Sequence, residues 1–521
     1  MLVGFVSDQN YLAVSGAQVE IRGIEAAPSV LRSSAAGALY ADVPEGHYDV
    51  ALAKRGYGSK RSRNVRLGGD VPRQFRLLSD QPLGYVWPGW CRAGDPVEFR
   101  LHSVEPCKLG LWRYGAEREL VRNVGWYDDH GPRAIMQTLP DGHFVETGVK
   151  WFAGNMTVHS QVILAPARTG LYYFHMKGES GAFFSFPLVV APASPSAGIA
   201  VLANTNTWNA YNSFGGRSNY CQAVRMGDEP VVNSRQDLPR YRLPEYGEWQ
   251  PGVNAPLSFD RPNPANAVPE SDRLTDPIEG RMACALAPAE WRTLGWMERN
   301  GFPHDVYSDY QLHSGELPLD RYKVLMLNVH PEYWSIDAYK RVKDWVRNRG
   351  GRLVYFGGNG MNGPVEYPDA STMRCINAMP PEKESRFHAA IESEATLLGV
   401  VFSNPGAMTV APYRAFESDH WIFEGTGLRD GQEFGRKTLH ERYGDGASGH
   451  ETDKRSPSSP PNLPLLAKGL NPDNGGAEMT CYELPGGGAV FSAGSITFPT
   501  ALLVDELCAR IAQNVLRRYL R

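Results

Sequence analysis

The chain has 521 residues, with 53 Lys and Arg against 57 Asp and Glu and a formal net charge of −4. That length predicts about three domains at ~150 residues each, and the balanced charge excludes non-specific binding to nucleic acid or to an anionic membrane surface. The seven cysteines are odd in number and form no C-x-x-C pair, and prolines interrupt the most apolar stretch, 186–203, so a cytoplasmic protein with free thiols and no membrane span is expected.

The opening, MLVGFVSDQN, lacks a basic stretch followed by a long apolar one and is not read as a secretory signal. Residues 1–78 predict a small β-sandwich. Val14–Ile21 alternates into a strand, and Gly37–Val43 and Gly46–Leu52 carry the period-2 alternation of a hairpin-like pair. This stretch resembles the transthyretin-like, carboxypeptidase-regulatory type of β-domain. The basic run Lys54–Arg66 reads as a solvated loop face. Residues 80–194 predict a second, Ig-like β-sandwich from the alternation in Asp95–His102 and Gly170–Met176 and from frequent turn signals. Cys91 and Cys107 are not placed as its bridge. His143, His159 and His175 match no tight metal-ligand spacing and are read as surface or satisfied histidines.

Pro192–Ser196 reads as a linker, after which strands alternate with helices. Residues 196–521 therefore predict an α/β domain with a doubly wound, mainly parallel sheet of the glutamine-amidotransferase-like kind. Gly198–Ala203 is its first strand, followed by Asn204–Asn212 and Gly215–Tyr220 and a polar excursion over 226–280. Pro288–Asn300 is a helix and Asp305–Tyr307 a second strand. Val324–Val329 is an apolar run suited to a strand buried on both faces. His330-Pro331-Glu332 breaks it, and Ser335 caps a helix in which Ile336, Tyr339, Val342, Trp345 and Val346 recur at helical spacing. Gly350-Gly351 ends that helix, and Leu353–Phe356 is a fourth strand that stops at Gly357-Gly358-Asn359. Ser385–Leu398 predicts a helix, 416–464 a second excursion, Ala489–Ser492 a late strand and Leu502–Leu520 a closing amphipathic helix.

Loops that follow successive parallel strands share one edge of a sheet, where ligands bind. Tyr211 and Tyr220 follow the first strand, His330 and Glu332 the third, and Asn359 the fourth. Two phenols, a carboxylate and an imidazole form a conceivable metal site. Phenolate is a hard anionic oxygen donor whose parent phenol ionises near pH ~10, so ferric iron is the natural hard cation for it. Tyrosines in such loops serve equally as packing residues, and residue types alone leave both readings open.

A resemblance adds to this. From about Leu83 onward the sequence resembles the large-subunit family of N,N-dimethylformamidase. The likeness rests on His330-Pro331-Glu332-Tyr333, Gly357-Gly358-Asn359-Gly360-Met361, Trp208-Asn209-Ala210-Tyr211, Gly216-Arg217-Ser218-Asn219-Tyr220, Ser258–Pro262, Gly449–Lys454 and Gly486-Gly487-Gly488. The resemblance implies an amidohydrolase with mononuclear ferric iron (Fe3+) held by Tyr211, Tyr220 and Glu332, with Tyr241 and Tyr246 as alternatives to Tyr220. It implies second-sphere roles for His330 and Asn359 and a general base in Glu451. A small-molecule amide substrate and an oligomer follow from it, as does a place for a small partner subunit. The chain differs from that family in carrying its own N-terminal β-domain and in lacking a further β-sandwich insertion. Two other readings stand beside it: a metal-free cysteine hydrolase using Cys375 or Cys284, which lack the tight strand-to-helix turn such a nucleophile needs, and a non-catalytic binding protein.

Overall fold

The computed structural model describes residues 1–23, 28–127, 139–151, 161–222, 225–232, 254–268, 285–440 and 444–521. Over these the chain is mostly β, in several separate sheets with few helices, and is built in the manner of a multidomain protein.

The apolar runs pair in parallel. Val324–Val329, buried throughout, lies between Ile199–Ala203 and Arg352–Gly357. His304–Ser308 adds beyond Ile199–Ala203, and Ala489–Ser492 beyond Arg352–Gly357, both in parallel. Antiparallel strands Glu478–Glu483, Ala467–Gly469, Tyr413–Ala415 and Glu433–Phe434 extend the sheet to nine. Alternate side chains leave each strand on opposite faces. Val201, Met326, Val354 and Phe356 pack with helices Ala287–Arg299 and Glu506–Leu520. Leu202, Leu325, Leu327 and Leu353 pack with helix Ile336–Asn348. With both faces covered, polar alternation along these strands would bury unpaired polar groups. That is why Val324–Val329 is a run of apolar residues broken only by Asn328.

Two predicted helices start or end elsewhere. Ser385–Leu398 is two short helices, Arg386–Ala390 and Ala395–Leu398. In a continuous helix Ser385 and Glu394 would lie about 13 Å apart along the axis, yet Ser385 Oγ donates to the buried Glu394 carboxylate at 2.5 Å. The closing helix begins at Glu506, because Asp505 Oδ1 accepts the Cys508 N–H at 3.1 Å as an N-cap. Ser335 caps Ile336–Asn348 as its position predicts, accepting the Ala338 N–H at 3.2 Å.

Residues 2–77 form two sheets, one of Leu2–Asp8, Ala38–Tyr40 and Arg73–Leu77, the other of Gln18–Arg22, Ser29–Arg32, Gly46–Lys54 and Gly58–Leu67. Val6, Val19, Leu39, Leu52 and Phe75 share the cluster between them. The expected hairpin-like pair does not form. Ala38–Tyr40 pairs with Leu2–Asp8, while Gly46–Lys54 pairs with Gln18–Arg22 and Gly58–Leu67. Alternation fixes which side of a strand is apolar but not which strand lies beside it. Nor is Lys54–Arg66 a loop face: most of it is strand Gly58–Leu67, in which Lys60 is buried and donates to Asp141 Oδ1 at 2.6 Å. Residues 83–191 also form two sheets, of three and five strands, around Phe99, Leu111, Phe174 and Phe186. Among the described residues no helix is long and apolar enough to cross a membrane.

In the nine-stranded sheet the strand order reverses beside Ile199–Ala203. The chain first goes to His304–Ser308 on one side of it, then returns to Val324–Val329 on the other. Loops after Ile199–Ala203 and Val324–Val329 therefore leave toward opposite sides, the kind of position at which open α/β sheets bind ligands.

Candidate functional site

The loops past these strand ends hold most of the predicted residues. Tyr211 is the C-cap of the short helix Thr205–Ala210, which follows Ile199–Ala203 directly. Its ring lies 4.2 Å from that of Tyr220, centroid to centroid. Tyr211 Oη donates to Glu332 Oε2 at 3.2 Å, and Tyr220 Oη donates to the same oxygen at 2.7 Å. His330 Nε2 lies 3.3 Å from that oxygen and 3.2 Å from Glu451 Oε2. Asn359 Nδ2 donates to Glu451 Oε2 at 2.8 Å. Tyr211, Tyr220, Glu332, His330, Asn359 and Glu451 thus form one connected cluster drawn from four separate loops. His330, Glu332, Asn359 and Glu451 are buried, while the two tyrosines are half-buried.

Local interactions set each loop. The Glu332 N–H donates to Thr207 Oγ1 at 3.1 Å, and Asn204 Nδ2 donates to Asn328 O at 2.7 Å, so the first crossover helix grips the turn after the third strand. Gly358 allows the chain bearing Glu451 to come close. A Cβ there would lie 2.5 Å from Glu451 O and 2.6 Å from Ile496 N, so any other residue would push Glu451 out of place. Asn359 sits in the left-handed region at φ 51°, held by its N–H on Asp453 Oδ1 at 2.7 Å.

Electrostatics separate the groups. Burial works against a charge on His330, but the facing Glu451 and Glu332 carboxylates outweigh it and raise its pKa. Burial would raise Glu332, yet His330, Arg386 and the Tyr220 hydroxyl together lower it. Both phenols are pushed well above their ordinary range, by burial first and then by the Glu332 charge. They therefore stay protonated unless a strongly acidic cation replaces the protons. Among the described residues no trio of His, Cys, Asp or Glu side chains is arranged to hold a metal ion; the acidic oxygens beside one another in this cluster are those of Glu332 and the two phenols. Two phenol oxygens at 3.2 and 2.7 Å from one carboxylate oxygen make an all-oxygen donor set that fits a hard trivalent ion.

The structure adds residues that spacing did not reveal. Arg386, fully buried, donates from Nη2 to Glu332 Oε1 at 2.8 Å, leaving Oε2 to face the phenols. Tyr333 Oη donates to Tyr220 Oη at 2.7 Å and accepts from Asn219 Nδ2 at 2.7 Å. No sequence signal ties Arg386 to Glu332, whereas Tyr333 lies within the HPEY motif. The Ser258–Pro262 motif serves the scaffold: Arg261 donates to Ser258 O and Asn209 Oδ1, and Asp260 accepts from Tyr85 Oη.

Behind the first crossover helix, Glu290 Oε1 accepts from Trp208 Nε1 at 2.7 Å and Asn204 Nδ2 at 3.0 Å. Burial pushes its carboxyl up from 4.5 to about 8, so between those values the folded protein binds a proton that the unfolded chain has lost. Stability from this group is complete below about 4.5 and declines as pH rises, by about 1.4 kcal/mol per pH unit. Glu290→Gln is expected to remove that part of the slope. Urea unfolding followed from pH 5 to pH 8 checks it; an unchanged slope would contradict the assignment.

Several other expectations find their places. Tyr241, Tyr246, Cys284 and His159 lie outside the described residues. Burial pushes the Cys375 thiol up to about 12, which is unsuited to a nucleophile. His175 bonds Tyr114 Oη at 2.8 Å, and His143 packs against the Tyr11 ring.

Comparison with known proteins bears on the family of the chain. Residues 118–510 match the family described as N,N-dimethylformamidase beta subunit-like, C-terminal. Two relatives, each named N,N-dimethylformamidase beta subunit, come from Paracoccus aminophilus and an Alcaligenes species. The first is 26% identical over 403 residues, covering 66% of this chain and 51% of the relative. The second is 26% identical over 396 residues, covering 64% and 50%. The chain spans about half the length of the curated relatives it matches.

Proposed function

The chain belongs to the N,N-dimethylformamidase beta subunit-like family, and on that premise we propose that it hydrolyses the C–N bond of a small N-substituted amide or formamide. One ferric ion would be held by Tyr211, Tyr220 and Glu332. The observation that carries this reading is the meeting of two phenol oxygens and an imidazole at Glu332 Oε2.

When bound, the ion supplies Lewis acidity for water and the amide carbonyl, with no redox part. The chain does the rest. Glu451 takes a proton from the attacking water and passes it to the leaving amine. Asn359 aims the Glu451 carboxylate through its 2.8 Å bond. His330, between two carboxylates, presents a positively charged edge to the amide, and with Asn359 it orients the substrate and stabilises the tetrahedral oxyanion. Arg386 keeps Glu332 from turning its second oxygen into the site.

Within the same reading, residues 1–78 and 80–194 are transthyretin-like and Ig-like β-sandwiches, and 196–521 is a doubly wound α/β catalytic domain. The shared clusters between paired sheets and the five parallel strands support it. The relatives' designation as beta subunits favours a multi-subunit assembly, here a homo-oligomer with room for a small partner. Cys91, Cys107, Cys375, Cys481 and Cys508, which form no disulfide among the described residues, favour a cytoplasmic setting.

Metal analysis of the purified protein, joined to a screen of formamides and N-substituted amides, tests the proposal. About one iron per chain and amine release from at least one amide are expected. Activity that is lost to a thiol reagent and persists without metal would point to a cysteine hydrolase.

A further inference from the structure

A fully buried guanidinium sits where three parts of the chain meet. Arg76 donates from Nε to Asp8 O at 3.0 Å, from Nη1 to Gly142 O at 3.2 Å and from Nη2 to Gly215 O at 3.0 Å. Asp8 belongs to the N-terminal module, Gly142 to the second β-region, and Gly215 to the loop between Tyr211 and Tyr220. The guanidinium also stacks over the rings of Tyr11 and Phe144, at 5.0 and 4.7 Å. Its three donors end on backbone carbonyls. A buried charge of this kind is a poor device for stability alone, because an apolar residue of like volume avoids the desolvation penalty. It does fix the three carbonyls relative to one another.

The same loop is held at both ends by residues 9–13. The Gly215 N–H donates to Gln9 O at 2.7 Å. Gly216, at φ +95°, lies so close to Tyr11 that a Cβ there would be 2.3 Å from the Tyr11 Cβ. Past Tyr220, Tyr11 Oη donates to Gly227 O at 2.8 Å, and Tyr11 and Ala13 exchange backbone bonds with Val231 at 2.9 and 2.8 Å. Gln222 ties the two ends together, donating to Gly216 O and accepting from the Gly227 N–H. Tyr211, by contrast, is the C-cap of a short helix packed against the sheet.

We infer that the N-terminal β-module, acting through Arg76 and Tyr11, is a positioning device that holds the Tyr220 loop against Glu332. The inference rests on the reading of Tyr220 as a metal ligand. Arg76 touches neither substrate nor metal and acts only through the loop.

The test compares Arg76→Met and Gly216→Ala with Tyr220→Phe in the full chain. The readouts are iron retained on dialysis, phenolate-to-iron absorption and melting temperature. Arg76→Met is expected to hold iron about 10- to 100-fold more weakly, and its spectrum in the folded protein should move toward that of Tyr220→Phe. Arg76→Lys, which keeps one donor head, should recover part of the difference. A lowered melting temperature with iron retention and spectrum unchanged overturns the inference and leaves Arg76 a structural residue. Should Arg76→Met not fold, Gly216→Ala, which wedges the loop from Tyr11 while keeping the guanidinium, decides by the same readouts. A wild-type chain without iron overturns this inference and the proposed function together. Iron in the wild type, a changed Tyr220→Phe spectrum and an unchanged Arg76→Met overturn this inference alone.

Discussion

Tyr211→Phe is expected to abolish the visible phenolate-to-iron absorption contributed by that residue and to cut amide hydrolysis by about 10³-fold. The size follows from the several kcal/mol that a Lewis acid contributes to a hydrolytic transition state. The fold should survive. The lost hydroxyl makes one 3.2 Å bond to Glu332 Oε2, which keeps Tyr220 and His330 beside it while Arg386 holds Oε1. Removing such a bond costs about 1 kcal/mol. A phenyl ring fills the same space, so any loss of iron reports on the oxygen and not on packing. Absorption spectra, iron content and rate measured on one preparation check this, and a variant with full iron and full rate would remove Tyr211 from the ligand set.

Glu451→Gln should behave in the opposite way: iron and colour retained, turnover lowered by roughly 10²- to 10⁴-fold, the usual contribution of a positioned general base. The amide oxygen of Gln can still accept from Asn359 Nδ2, which lies 2.8 Å from the wild-type carboxylate, so the geometry around Asn359 is kept while the proton acceptor is lost. Glu332→Gln provides the contrast, since loss of charge there should release the metal. Were Glu451→Gln to lose iron as completely as Glu332→Gln, Glu451 would be a ligand and the proton-transfer role would need another residue.

The local elements were legible where short-range physics decides them. The apolar run Val324–Val329 suits a strand covered on both faces, and Ser335 at the head of a 3.6-residue pattern suits a cap; both are found. Ser385–Leu398 has helical composition too, but a single contact between Ser385 and Glu394 bends it in two. The Gly46–Lys54 strand was recognisable from its alternation, while its partners were not. In each miss a tertiary contact, nine residues apart at Ser385–Glu394 and between whole strands at Gly46–Lys54, competed with a local preference worth a few tenths of a kcal/mol per residue.

The candidate site divides along the same line. Tyr211, Glu332 and Asn359 could be placed from the chain alone, because each follows a parallel strand and such loops must share an edge. That both phenols donate to one carboxylate oxygen, that Arg386 claims the other, and that an arginine from the first module braces the loop bearing Tyr220 depended on how the sheets pack. Periodicity carries information over one or two turns of helix or a few residues of strand. Contacts between residues 54 to 139 positions apart arise only once the core has closed around them, and buried polar groups then take whichever partners that closure brings within reach.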